Sequence, residues 1–380
     1  MLEQVPLDRL RLRQSAKWAK YPPDVLPAWV AEMDFDLAPP VAEALRAAVE
    51  LGDTGYPELG RLPEAFAGFA EARFGWNVDP ARVWLVADVM SGVAELLRAL
   101  TEPGDAVVVN TPIYPPFVKI TEEVGRRIVE APLARGPDGW ELDLDALEQA
   151  FAAGARVYLF CHPHNPTGRS FSRSDLAAVS ALAARYGVIV ISDEVHAPLT
   201  MPGSEHVPYL ALGGEAVEHG IAILAASKAF NLAGLKCAAI VTASDRVQDE
   251  LTVRLSKFLG YHAGHLGVLA AIAAFEEGGP WLDALVDQLD RNRNLLGRLL
   301  EEQLPEVVYV PPQAGYLAWL DCTALDLGDD PSVAFLERGR VALSPGPSFG
   351  TQGNGFARLN FGTSEALLTE AVRRMAVAVS

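Results

Sequence analysis

Through the middle of the chain, short apolar runs rich in β-branched residues alternate with stretches of helical periodicity. RVWLVA (82–87), AVVVN (106–110), RVYLFC (156–161), VIVIS (188–192), IAILAAS (221–227) and CAAIVTA (237–243) are nearly continuous hydrophobic segments. Such runs are expected of parallel strands covered on both faces. Between two of them, SRSDLAAVSALAARYG (172–187) predicts a helix with Ser172 as N-cap and Gly187 at the left-handed position that ends it. The βαβα order predicts an α/β fold with a large domain built on a mainly parallel sheet flanked by helices. A long amphipathic pattern then runs from Pro280 to about Leu304. VVYV, YLAWL, RVALS and ARLNF follow as strands of a smaller C-terminal α/β domain, closed by a helix from Ser364. The first residues are rich in Pro and Trp without clear periodicity, which predicts a segment wrapping onto the small domain. The expected units are residues 1–45, a large domain over 46–279 and a small domain over 280–380.

Charge and cysteine usage narrow the function. A net charge of −18 disfavours nucleic acid and anionic membrane surfaces, both of which recruit clustered Lys and Arg. Cys161, Cys237 and Cys322 are far apart and form no CxxC pair, a pattern suited to a reducing compartment and hence to the cytoplasm. The N-terminal MLEQVPLDRLRLRQ lacks the apolar stretch of a signal peptide. No apolar run reaches the ~18 residues that span a bilayer.

Three polar residues stand out because each follows a buried strand. Lys228 comes directly after IAILAAS, Asp193 ends VIVISD, and Asn165 lies in HPHNPTG after RVYLFC. In open α/β sheets, ligands bind at the carboxyl ends of strands. A partly desolvated lysine has a lowered pKa and can attack a carbonyl. A carboxylate opposite it can keep a pyridinium nitrogen protonated, and an amide can hydrogen-bond a phenolic oxygen. Cys161-His162-x-His164 has zinc-like spacing but no evident fourth ligand, and a metal is not expected.

HNPTGR (164–169), SDEVH (192–196), SKAFNLAGLK (227–236) and ARLNFGTS (357–364), in this order and spacing, resemble the fold-type I pyridoxal-phosphate (PLP) enzymes of the aminotransferase superfamily over nearly the whole chain. The resemblance implies PLP as cofactor, carried by Lys228, with Asp193 at its ring nitrogen and Asn165 at its phenolic oxygen. It implies that Tyr114 stacks on the ring, that Ser91, Gly92 and Val93 at a helix start hold the phosphate together with Lys236, and that Ser227 contacts the cofactor. Arg358 matches the arginine that clamps a substrate α-carboxylate. Tyr56 resembles a tyrosine that reaches the phosphate of a neighbouring subunit, which implies an obligatory homodimer.

LPAWVAEMDFDLAPP (26–40), RFGWNVDPARV (73–83) and His196, three residues after Asp193 where aminotransferases commonly carry tyrosine, are similar to the cystathionine β-lyase and cystalysin branch. That branch implies cleavage of a cysteine S-conjugate to pyruvate, ammonia and a thiol. An aminotransferase acting on an amino acid is the alternative, and a regulatory protein on the same fold a further one.

Overall fold

The structure is a computed structural model and describes residues 2, 4–136 and 139–379. At its centre is a seven-stranded sheet whose order, edge to edge, is Val83–Val86, Ala238–Thr242, Gly220–Leu224, Ile189–Asp193, Val157–Cys161, Ala106–Val109 and Arg127–Glu130. The last five strands in that order are mutually parallel, while Ala238–Thr242 runs against both its neighbours. Alternation along each strand feeds two cores. Val107, Val109, Leu159, Ile191, Ile223 and Ile240 face the helix Val89–Leu100. Val108, Tyr158, Phe160, Val190 and Val241 face the helix Arg173–Tyr186. That second helix has the caps its sequence predicts: Ser172 and Asp175 form a capping box, and Gly187 sits at φ 67° with its N–H bonded to the helix end.

Leu317–Asp321 and Phe356–Asn360 form the middle of a four-stranded antiparallel sheet in the smaller C-terminal α/β domain, with Val308–Tyr309 and Ser344–Pro345 at its edges. The helices Gly279–Gln303 and Glu365–Val379 pack on it through Leu285, Leu289, Leu296, Leu368, Val372 and Met375.

The N-terminal segment crosses between the domains. Leu26–Pro27 pairs in parallel with Val341–Ala342 of the small domain. Asn360 Nδ2 donates to the carbonyls of Val30 and Glu32, while the Asn231 side chain of the large domain bonds both the N–H and the carbonyl of Met33. Beneath this segment, Lys17 and Asp34 form a buried ion pair at 2.7 Å. A helix over Pro39–Leu51 follows and runs across residue 45. Among the described residues, no helix is long and apolar enough to cross a membrane.

Candidate active site

Strand register sets the site. Cys161 pairs with Asp193, and Asp193 with Ile223, so three adjacent strands end level with one another. The turns that leave them bring Asn165, Asp193 and Lys228 to a single cavity of about 280 Å³, lined also by Ala31, Asp88, Val89, Met90, Tyr114, Cys161, His196, Ser227, Lys236 and Cys237. Arg358 stands behind this wall. Its Nη1 donates to Asn165 Oδ1 at 2.9 Å, and its Nη2 to Ser344 Oγ at 3.1 Å and the Trp29 carbonyl at 3.2 Å.

Burial dominates the electrostatics. It draws the Lys228 amine down to about 8, with the Arg358 charge acting the same way. It pushes the Asp193 carboxyl up to about 7, although the Val195 N–H and Lys228 pull it back. Burial, then Lys228 and Arg358, lower the His196 imidazole to about 3, so this ring is neutral. Arg358 itself falls to about 10 through burial. No carboxylate pairs with its guanidinium among the described residues, and its Nε is buried without a partner. Buried cations are ordinarily paired, so an unpaired guanidinium beside a cavity suits an incoming anion.

The first turn of the helix after Val83–Val86 departs from the sequence reading. The helix begins at Val89 with Asp88 as N-cap, so the N–H groups without an intrahelical acceptor begin at Val89. The Ser91 N–H is taken by Asp88 Oδ1 at 2.8 Å, and the Gly92 N–H by the Asp88 carbonyl at 2.9 Å. Gly92 and Val93 are buried in the helix–sheet core, where a Cβ on Gly92 would meet Val86 at 3.2 Å. None of Ser91, Gly92 and Val93 lines the cavity; Asp88, Val89 and Met90 do. The open N–H groups beside the cavity at this turn are therefore those of Val89 and Met90, because the chain enters the helix earlier than S-G suggests. Lys236 stands beside them, its Nζ 2.7 Å from Asp88 Oδ2. Burial raises the Asp88 carboxyl, but the Lys236 and Ser91 bonds outweigh it and hold the group low.

Tyr114, Ser227 and His196 also line the cavity. Tyr56 does not reach the cavity of its own chain: it is 85% exposed, with its ring edge-on to Tyr261, centroids 6.3 Å apart. Two contributors carried no sequence signal. The Ala31 carbonyl accepts from Lys228 Nζ at 3.4 Å and from Tyr316 Oη at 3.0 Å. Neither a backbone carbonyl nor a tyrosine inside an apolar run announces itself. His162, of the zinc-like triplet, stacks on His206 and Phe160 inside the core. Among the described residues no group of His, Cys, Asp and Glu is placed to hold a metal.

The residues present fit PLP. A buried carboxylate with one hydrogen bond and a lysine amine lowered towards neutrality converge on one cavity beside an open helix start, and a guanidinium without a carboxylate partner among the described residues stands directly behind Asn165. Together, fold and site define an α/β scaffold of the kind that binds PLP through a lysine at a strand end. The chain belongs to the class I and II aminotransferase family, whose sequence model matches residues 24–375. A Mycobacterium tuberculosis protein is 46% identical to it over 98% of this chain and 97% of its own length. The cystathionine beta-lyase of Corynebacterium glutamicum is 38% identical over 97% of this chain and 98% of its own length. Among solved structures, cystalysin from Treponema denticola, which contains a pyridoxal 5'-phosphate cofactor, superposes with a TM-score of 0.92 at 26% identity, covering 99% of this chain and 98% of that one.

Proposed function

We propose that this protein is a PLP-dependent carbon–sulfur β-lyase that converts a cysteine S-conjugate such as cystathionine into pyruvate, ammonia and a thiol. The observation that carries the reading is the convergence of Lys228, Asp193 and Asn165 on one cavity, with neutral His196 beside them and Arg358 bonded to Asn165 from behind the wall. The similarity to a cystathionine beta-lyase over nearly the full length of both chains supports the choice of branch.

PLP, when bound, supplies an electron sink that makes the substrate Cα–H acidic. Lys228 would carry the cofactor and, with its amine free, would take the substrate Cα proton at Nζ. Its lowered pKa keeps a useful fraction of the amine neutral near pH 7. The Asp193 carboxylate would keep a proton on the ring nitrogen, a positive partner that would offset the cost of its burial. Asn165 keeps Nδ2 for the phenolic oxygen while Oδ1 accepts from Arg358. Tyr114 covers the ring face. The open N–H groups at Val89 and Met90, with Ser227 and Lys236, hold the phosphate, and Arg358 clamps the substrate carboxylate. Tyr56, exposed in the single chain, completes the site of a second copy in a homodimer.

Elimination needs a good leaving group on Cβ, and a thiolate is one. The test is a cysteine conjugate supplied without any 2-oxo acid. Multiple turnovers yielding equal amounts of pyruvate and thiol support the lyase. Turnover that stops after one equivalent until 2-oxoglutarate or pyruvate is added assigns the chain to the aminotransferases instead.

A further inference from the structure

On the far side of the Asn165 loop lies a second cavity of about 420 Å³ that shares no lining residue with the first. One side is aromatic. The Trp319 and Phe356 rings stack at 5.0 Å and 15°, and Trp140 meets Phe356 at 6.3 Å. Arg135 lies over Trp140 at 4.2 Å and pairs with Asp321 at 3.3 Å, so its charge is already matched. Arg169 also lines the cavity and is not matched among the described residues. Its guanidinium makes no hydrogen bond or ion pair among the described residues, and its Nε is buried. Trp319 is 5% exposed, and its indole N–H also lacks an acceptor.

Beside these rings, a guanidinium unpaired among the described residues and an orphaned indole donor suit a flat ring bearing a carboxylate. The ring is recognised by offset or edge contacts with the aromatic wall. The carboxylate is recognised by a charge-assisted, fork-shaped bond to arginine. Gln313 closes the floor, its N–H on the Gly168 carbonyl and its Oε1 accepting from the Ser170 N–H, so the cavity is built on a turn rather than a loose edge. We propose that this cavity is a binding site for a small planar carboxylate, held by Arg169 against Trp140, Trp319 and Phe356. The site is separate from the α-carboxylate clamp, although Trp319 pairs across the small sheet with Arg358.

The probe is benzoate, with benzamide as its neutral counterpart. The protein is PLP-loaded Arg358→Gln, which lacks the clamp that would also take benzoate. Calorimetry should show one benzoate per chain, bound about tenfold more tightly than benzamide, with a saturable change in indole fluorescence. Adding Arg169→Gln should weaken benzoate about tenfold and leave benzamide unchanged. Equal affinity for the two probes, or no saturation at roughly tens of millimolar, overturns the proposal. So does benzoate binding that ignores Arg169→Gln in a protein with an unchanged melting temperature. If the Arg169 variant does not fold, Trp140→Leu takes its place, and benzoate binding that this change leaves unaltered overturns the proposal as well. Because the readout is binding, failure here leaves the lyase reading untouched.

Discussion

Arg358 and Asn165, 193 residues apart in the chain, meet through an Nη1–Oδ1 hydrogen bond of 2.9 Å. The bond joins an inner strand of the small sheet to the turn that leaves a strand of the large one. It orients the guanidinium proposed to hold the substrate carboxylate and the amide proposed to face the cofactor. The two recognition tasks are therefore mechanically coupled.

Arg358→Gln should raise KM for a cysteine conjugate by about a hundredfold, since charge-assisted hydrogen bonds are lost. Arg358→Lys should recover little of this, because a point charge cannot reach Asn165, Ser344 and the Trp29 carbonyl together. Steady-state kinetics of both variants checks this, and a KM for Arg358→Lys close to the original would sink the argument.

Lys228 is the expected point of cofactor attachment. The PLP-loaded protein should absorb in the visible, and borohydride reduction followed by peptide mapping should leave the label on Lys228. A label on Lys236, whose amine is held by Asp88, would reverse the assignment.

Asp193 makes the cofactor-free protein sensitive to pH. Its folded pKa of about 7 lies above the ordinary 3.8, so between those values the folded state holds a proton that the unfolded state has lost. Stability from this group is therefore present at low pH and declines as pH rises towards 7. Asp193→Asn removes the decline. Its melting temperature relative to the unmodified cofactor-free protein should rise steadily from pH 5 to pH 7, while PLP is retained more weakly. A difference that does not vary with pH would show that the carboxyl titrates normally.

Tyr56 tests the assembly. Mixed subunits of Lys228→Ala and Tyr56→Phe should regain activity if one intact site forms from two chains. This requires that each variant is impaired alone and that subunits exchange. No recovery under demonstrated exchange would place Tyr56 outside the site.

The buried Lys17–Asp34 pair anchors the segment whose Ala31 carbonyl meets Lys228 and Tyr316. Asp34→Ala strands a buried ammonium and should cost about 3–5 kcal/mol in urea unfolding. Replacing both residues, as Lys17→Met with Asp34→Leu, should restore most of that loss. If the double variant is as unstable as the single one, the bond from Trp18 to Asp34 matters more than the charge pair.

Much of this architecture is local, and local features can be read from the chain. The central strands declare themselves by unbroken apolar runs, and the helix Arg173–Tyr186 by Ser172 and Gly187, because those signals depend on residues a few positions apart. Asn165, Asp193 and Lys228 were legible for the same reason: a polar side chain directly after a buried strand is a contrast within one segment. The edge strand Arg127–Glu130 was not legible, since it is largely uncovered and its composition is mixed. Nor could the chain reveal that Ala238–Thr242 runs antiparallel, because a buried apolar run has the same pattern in either direction. The helix starts at Val89 because Asp88 caps it, and the same carboxylate pairs with Lys236, 148 residues away in the chain. Ala31 and Tyr316 join the site through contacts spanning 197 and 285 residues. Sequence alone determined which groups could do the chemistry; folding decided which carbonyls, caps and cations surround them, because hydrogen bonds and desolvation act on distance in space rather than along the chain.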